Sequence, residues 1–378
     1  MSVTDRYVIR EMNEKLVLTT IIHKEAISRA EISKQTHLNK ATVSSIVGSL
    51  LANDLILELG IGQSSGGRKP IMVTFNNKAG ISLSLDLGPD YISSMLTYLN
   101  GDVIRQKTEL LAKTDQETRL STLKALIEFH INQMPASTYG LIGICVGIHG
   151  IVKDNQLVFS PFYDFDHYDL KLELEQLFKV PVILENEANL SALGEKQSAP
   201  LSSNLISISV KNGIGAGIIL NDSLFTGING YAGEVGHLIT VPNGKPCPCG
   251  NCGCLEQYTS EYQILKLYQK ELQVSKMTFS QFKEDYQANH PLTRKCMEIF
   301  IQYITIGVNN LITIFNPEII IINSKFTNQI DGVIDQIKAN LNDKMNAQTQ
   351  IKASTLHEKA TLLGGAHVNS TRFLQIHN

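Results

Sequence analysis

The 378-residue sequence has no apolar run approaching the roughly 18 residues of a membrane span. Its opening stretch, MSVTDRYVIREMNEKL, also lacks the continuous apolar segment of a secretory signal. A cytoplasmic address with no membrane partner is therefore expected. A large excess of one charge is also lacking: 33 Lys and Arg stand against 36 Asp and Glu, net −3, so global electrostatics draws the chain to neither nucleic acid nor anionic lipid. Glycine (27) and proline (11) stay near ordinary usage, which excludes a disordered or collagen-like chain. At roughly 100–200 residues per domain, the length predicts two or three units.

What is present is unevenly placed. Residues 1–80 carry ten Lys and Arg against seven Asp and Glu, leaving 23 against 29 for the remainder. A basic head on an acidic body makes the head the candidate for an anionic polymer. Of the six cysteines, Cys247, Cys249, Cys252 and Cys254 fall within eight residues. A reducing compartment and this spacing favour a metal over a disulfide framework. Cys145 and Cys296 have no evident role.

In the head, Val8, Ile9, Met12, Leu16, Leu18, Ile21 and Ile22 recur at helical steps over residues 3–26. Ser28, with Glu31 three residues later, has the capping-box spacing of a second helix start. After the short linker His37-Leu38-Asn39, a third helix is expected from Lys40 to about Asn53, with Val43, Ile46, Val47, Leu50 and Leu51 on its apolar face. Two short helices across a tight turn, the second displaying Thr42, Ser44, Ser45 and Ser49 outward, read as a helix-turn-helix. Strands at residues 55–59 and 71–75 flank a glycine-rich tip ending in Arg68-Lys69-Pro70, a wing whose cations could enter a minor groove. Arg29, Asn39 and Lys40 complete the candidate DNA-binding set. The competing reading is a protein-interaction module. Hydroxyl side chains contact phosphates as readily as bases, so the operator sequence is not legible.

From about residue 80, strands alternate with helices and glycine-rich turns: Ile81 to Gly88, Tyr91 to Leu99, a helix over Thr118 to Met134, Leu141 to Gly150, Leu205 to Val210 followed by Gly213-Ile-Gly-Ala-Gly217, and Ile319 to Ile322. This alternation predicts an α/β architecture whose turns gather at one cleft. Within it, His237 with Cys247, Cys249 and Cys254 offers one imidazole and three thiolates, a closed set of the structural zinc type.

The stretch from Gly236-His237 through Cys247-Pro-Cys249-Gly-Asn-Cys252-Gly-Cys254-Leu-Glu256 resembles the signature of the ROK family (repressors, open reading frames and sugar kinases). Glu234-Val-Gly-His237 matches its Glu-x-Gly-His element, and Glu185-Asn186-Glu187-Ala188-Asn189 its Glu-Asn-Asp-Ala-Asn element. The resemblance covers nearly all of residues 80–378. It implies a winged helix-turn-helix over residues 1–75 followed by a two-lobed, actin-like or hexokinase-like α/β body, with lobe one about 80–196 plus the C-terminal helix and lobe two about 197–362. It points to His237, Cys247, Cys249 and Cys254 as ligands of a structural Zn2+; Cys252 is extra, and an exchange between Cys252 and Cys254 stays open. It assigns sugar binding to Asn186, Glu187, Glu234, His237 and Glu256, with Gly147 and Gly150 letting the backbone approach. His149 stands where many relatives have proline and adds a ring nitrogen; Phe162 stands where many place a sugar-contacting Asn.

The kinase members need phosphate turns, an adenosine pocket and a general base, and the chain departs at each. The first phosphate turn reads Asp86-Leu87-Gly88-Pro89-Asp90, losing an N–H donor and gaining a negative charge. The second begins Lys211-Asn212 in place of Gly-Thr, the adenosine-side cluster reads Asn323-Ser324-Lys325, and Glu187 replaces the Asp base. The implied protein is a non-enzymatic, sugar-responsive repressor, a homodimer on operator DNA. The head and the Gly-Ile-His-Gly turn are most similar to the xylose-responsive branch, which makes D-xylose the first effector to consider. A sugar kinase with a DNA-binding head, or a zinc- or thiol-responsive regulator, are the alternatives.

Overall fold

The computed structural model describes residues 3–61, 70–111, 115–163, 168–199, 202–341 and 348–376. The head comprises α1 (Val3–Ile22), β1 (Ile27–Ser28), α2 (Arg29–Thr36), α3 (Lys40–Ala52), β2 (Ile56–Ile61) and β3 (Ile71–Phe75). The expected capping box forms: Ser28 Oγ accepts from the Glu31 amide at 3.2 Å, and Glu31 Oε2 accepts from the Ser28 amide at 2.9 Å. His37 closes α2 in the left-handed region (φ 57), and Asn39 Oδ1 starts α3 by accepting from Thr42 N at 2.8 Å. Val17, Ile21, Ile32, Val43, Val47 and Leu50 lock the three helices together over the sheet β1-β3-β2.

The body contains the same topology twice. Its first half runs β4 (Ile81–Leu87), β5 (Tyr91–Tyr98), β6 (Val103–Leu110), α4 (Gln116–Ile131), β7 (Leu141–Ile148), β8 (Ile151–Lys153), β9 (Gln156–Phe159), α5 (Leu170–Phe178) and β10 (Val182–Asn186), then α6 (Glu187–Ser198). The second runs β11 (Leu205–Val210), β12 (Ile214–Leu220), β13 (Ser223–Leu224), α7 (Glu256–Thr259), α8 (Glu261–Leu272), α9 (Phe279–Gln287), α10 (Pro291–Phe315), β14 (Ile319–Asn323), α11 (Lys325–Gln329), α12 (Val333–Asn340), β15 (Gln350–Ala353) and α13 (Ala360–Leu374). The sheets are ordered β10-β7-β4-β5-β6 and β15-β14-β11-β12-β13. In each, an antiparallel meander begins on the central strand and two parallel strands follow. The turn β4–β5 and the turn β11–β12 are therefore equivalent points of the two lobes.

Between the sheets lie α6, on β11 and β12, and α13, on β4 and β7, packed against each other. Their crossing requires glycine. A Cβ on Gly364 would lie 1.8 Å from the Leu190 carbonyl oxygen, and one on Gly194 2.2 Å from that of Ala360. Gly215 and Gly217, expected in a turn, lie in β12 instead; a Cβ on Gly217 would lie 2.4 Å from the Ala188 carbonyl oxygen, so these glycines admit α6 to the sheet. Among the described residues one helix, α10, is long and apolar enough to cross a membrane. Its Phe300, Ile304, Val308, Leu311 and Ile312 fill the core of the second lobe at helical spacing.

The head does not hang on a free linker. Ala79, Leu99 and Leu374 belong to the same apolar cluster as the head's core. Tyr139 OH donates to the Asn53 carbonyl at 2.7 Å, Thr138 bonds Asp54, and the Tyr139 ring meets Phe373 edge-on.

Two measurements follow from this packing. Gly364→Val forces backbone apart from backbone and should lower unfolding free energy by about 3 kcal/mol or more, read by urea denaturation. The second concerns pH. His130, fully buried and hydrogen-bonded to Ser94 at 2.8 Å, is pushed down to about 4 by burial, with Arg105 and Lys107 adding to the effect. Burial pushes His367 down to about 4 as well. Both stay neutral in the folded chain while the unfolded chain takes up protons below about 6.5. Stability should therefore fall as pH drops from about 6.5 toward 4, and His130→Gln should flatten that slope.

Candidate functional site

Asp86 is the penultimate residue of β4, and Lys211 follows β11 near the equivalent point of the other lobe. Lys211 Nζ lies 3.6 Å from Asp86 Oδ2 and 3.2 Å from Glu187 Oε2. Asp86 also accepts from Tyr91 OH (2.8 Å) and lies 2.8 Å from His149 Nε2. Burial pushes the Asp86 carboxyl up, but Lys211 and His149 outweigh it, and the group lies well below the usual carboxylate range. Burial likewise disfavours the Lys211 ammonium, yet Glu187, Tyr91 and Asp86 hold its pKa well above that of an ordinary lysine. Glu187, first residue of α6, accepts from Ser209 Oγ (3.0 Å), Lys211 Nζ (3.2 Å) and Thr361 Oγ1 (3.4 Å), the last from the start of α13.

The first turn is closed from within. A Cβ on Gly88 would lie 2.3 Å from the Tyr91 ring, so that ring covers the turn. Arg119 donates to the Gly88 and Pro89 carbonyls at 2.7 Å each, which braces it further. Asp90 is exposed.

The remaining sugar-site candidates divide. Glu234 lies near His237, Glu256 and Glu187: its Oε2 is 3.8 Å from His237 Nε2, and Glu256 Oε2 accepts from Ile214 N at 3.1 Å. Burial raises the Glu234 carboxyl, offset in part by His237 and reinforced by Glu256 and Glu187. Asn186 is already engaged: Oδ1 caps α6 through Ala188 N and Asn189 N, and Nδ2 donates to the Gly150 carbonyl. Gly147 and Gly150 make room for the protein itself. A Cβ on Gly147 would lie 2.9 Å from Thr361 Cγ2, and one on Gly150 2.2 Å from the Phe159 carbonyl oxygen. Phe162 is exposed and meets His149 edge-on. Asp86, Tyr91, Ser209 and Lys211 were not singled out as site residues from sequence. Their sequence signals are slight: Asp86 opens the first phosphate turn, and Lys211 departs from the second.

The metal-ligand candidates converge. Ligand atoms of His237, Cys247, Cys249 and Cys254 all lie within 4.8 Å of one another. Cys247 Sγ is 3.6 Å from His237 Nδ1, and Cys249 Sγ is 3.7 Å from Cys254 Sγ. A tetrahedron with metal–sulfur bonds of about 2.3 Å has edges of about 3.8 Å, so this donor set fits a tetrahedral ion. Cys252 is exposed and outside the group. His237 offers Nδ1 to the cluster and turns Nε2 toward Glu234.

On the head, α3 exposes Lys40, Ala41, Ser44, Ser45 and Gly48, with Thr42 and Ser49 half-buried. Gly48, missed from sequence, has nothing within 4 Å of its would-be Cβ and leaves the face low enough for close approach. Asn39 is the cap of α3, and Arg29 is paired with Glu58 of the hairpin at 3.3 Å. Arg68 and Lys69 lie outside the described residues.

Comparison with known proteins places these features in a family. Over 383 aligned residues the chain is 37% identical to a protein named xylose repressor from Bacillus spizizenii (strain W23), covering 100% of this chain and 99% of the relative. A solved ROK family transcriptional regulator, described as a homologue of the Escherichia coli MLC protein, matches with a TM-score of 0.77 and 26% identity over 97% of both chains. A ROK family glucokinase from Streptomyces griseus, solved with glucose and AMPPNP, shares the fold at a TM-score of 0.69 and 23% identity, covering 76% of this chain and 99% of its own. With residues 82–371 matching the ROK family as a whole, the chain belongs to that family.

Proposed function

We propose that this chain is a transcriptional repressor that binds operator DNA as a homodimer through residues 1–75 and is released by D-xylose bound in the body, residues 80–378. The observation that carries this reading is the 37% identity to a named xylose repressor across the whole chain, head and cleft together. Lobe one is residues 80–196 with α13, and lobe two residues 197–362. Glu187, Glu234, Glu256 and the free nitrogen of His237 supply acceptors and a donor for sugar hydroxyls, whose burial without partners is costly. Asn186, Gly147 and Gly150 act behind them, setting the backbone that carries the site. The protein works in the cytoplasm.

Phosphoryl transfer is absent from this proposal for two reasons on the residues themselves. Tyr91 covers the first turn, and Lys211 is bonded to the carboxylate that would serve as base. Release of DNA is a population shift: sugar favours one arrangement of the lobes, and with it one spacing of the paired heads. Leu374, at the far end of α13, sits in the head's apolar cluster, while Thr361 at its near end touches Glu187. One helix thus reaches from cleft to head. A Zn2+ held by His237, Cys247, Cys249 and Cys254 would cross-link the loop that presents Glu234 and Glu256 and take no part in chemistry.

The test is operator binding by the full chain with a panel of pentoses and hexoses, with and without ATP. D-xylose should raise the operator Kd by roughly tenfold or more, ATP should change nothing, and no ATP should be consumed. A complex indifferent to every sugar would sink the sensor reading. Metal analysis should find one zinc per chain. Cys249→Ala should remove it and weaken sugar binding roughly tenfold, since the loop then loses its cross-link; unchanged sugar affinity in a zinc-free protein would separate the metal from the cleft.

A further inference from the structure

One short segment of the body touches the head, the linker and the C-terminal helix at once. Residues 137–140 lie just before β7. Tyr139 N donates to the Ala79 carbonyl at 2.8 Å and Ile81 N to the Gly140 carbonyl at 2.9 Å, which fastens the segment along the stretch leading from the head into β4. The Tyr139 hydroxyl donates to the Asn53 carbonyl at 2.7 Å, and the Thr138 hydroxyl bonds the Asp54 carboxylate. On its other side the Tyr139 ring meets Phe373 edge-on, with centroids 4.9 Å apart.

Asn53 and Asp54 are the C-terminal end of α3. The last carbonyls of a helix find no partner within it. α3 meets part of this need itself: Asp54, left-handed at φ 55, donates its N–H to the Leu51 carbonyl at 3.0 Å, and Leu55 N donates to the Leu50 carbonyl at 3.0 Å. The Asn53 carbonyl and the Asp54 carboxylate are taken by the body. The helix that exposes Lys40, Ser44 and Ser45 is thus capped in part from outside its own domain. Phe373 lies in the last turn of α13, about 18 Å along the helix from Thr361 at its start. Apolar contact between head and body, at Leu99 and Leu374, is non-directional and tolerates sliding. A hydrogen bond is directional and fixes an angle. Tyr139 is 39% exposed, so water can replace Asn53 as its partner at small cost. Such a contact can be made in one arrangement of α13 and lost in another.

We propose that Thr138 and Tyr139 are the coupling residues of this chain: they hold the C-terminal end of α3 against α13, so that a change in the lobes reaches the DNA-reading helix through their two hydroxyls. This rests on the reading of the body as a sugar sensor and the head as its DNA-binding unit. Both are positioning residues; they touch neither sugar nor DNA and act through Asn53 and Asp54.

The full-length protein tests it, by operator Kd with and without D-xylose and by calorimetry of D-xylose on the DNA-free chain. The wild-type ratio of the two operator Kd values should be roughly tenfold or more. Thr138→Val combined with Tyr139→Phe should bring that ratio to roughly threefold or less, while D-xylose binds the DNA-free variant within about twofold of the wild type. Loss of stability alone would weaken operator binding in both conditions and leave the ratio where it was. Thermal melts establish that the variant folds; if it does not, Tyr139→Phe alone, which keeps the ring on Phe373, is read in its place. A second readout needs no sugar. Trypsin cleavage after Lys78, exposed in the linker, should release residues 1–78 roughly threefold or more faster from the variant, because local opening there breaks fewer bonds. An unchanged Kd ratio in the variant overturns the proposal, as does a changed D-xylose affinity of the DNA-free variant, which would place the effect in the cleft. A wild-type ratio of one is a different result: it removes the sensor reading, and the hold on α3 then stands or falls on the cleavage rate alone.

Discussion

The structure depends first on the contact between α6 and α13. Two helices can cross with backbone against backbone only where side chains are absent from both, and Gly194 and Gly364 provide that. Each helix then covers the sheet of a different lobe, so the crossing joins the lobes as well as the helices. The cleft hangs from it. Glu187 is the first residue of α6, Thr361 is the second of α13, and the two touch. Gly147 serves the same end by letting Thr361 lie against β7. Displacing either helix moves the Glu187 carboxylate.

Electrostatics completes what packing begins. A duplicated topology puts two strand ends opposite each other, and in this chain one carries Asp86 and the other is followed by Lys211. Their attraction is strongest because the site is largely shielded from water: the Asp86 side chain is 3% exposed and that of Lys211 24%. The Cys and His cluster belongs to a separate segment. The residues between β13 and α7 form little regular structure beyond a 3₁₀ turn at Val235–His237; Glu234 lies among them, and Glu256 begins α7. Backbone bonds such as Thr240 N to Gly253 O, Cys247 N to Asn251 O and Leu255 N to Leu238 O hold this segment, and four ligand atoms lie together within it.

Legibility in the sequence followed the range of the interaction. The cap at Ser28, the three head helices and the strands at 71–75 and 205–210 rest on neighbours a few residues apart, and they stand where local reasoning puts them. The four metal-ligand candidates were legible for the same reason, all lying within residues 237–254. Glycines were misread where their reason was tertiary. Gly215 and Gly217 look like turn residues but sit in β12 under α6, and Gly147 and Gly150 look like openings for a ligand but admit Thr361 and Phe159. The repeat of the two lobes left no trace in residues, because topology is preserved by hydrogen-bond pairing and not by side-chain identity. Lys211 was visible only as a departure from a motif; what it pairs with lies 125 residues upstream, beyond any local pattern.

The head, whose first 80 residues carry net charge +3, is packed directly on the acidic body. A tether of flexible residues would leave the head's orientation independent of the lobes. Here residues 76–80 are ordered by backbone bonds, Asn76 N to Leu55 O and Leu99 N to Asn77 O, and the head's core includes Leu99 of the first lobe and Leu374 of α13. Close-packed interiors transmit displacement because they compress little. The head therefore follows the lobe to which it is packed, and in the proposed dimer the angle between two heads would be a property of the bodies beneath them. DNA half-sites at fixed spacing read such an angle directly. With the lobes bolted by charge at the cleft floor and joined by helix at the crossing, a ligand that alters how they close has a rigid route to the recognition helix and needs no flexible element along it.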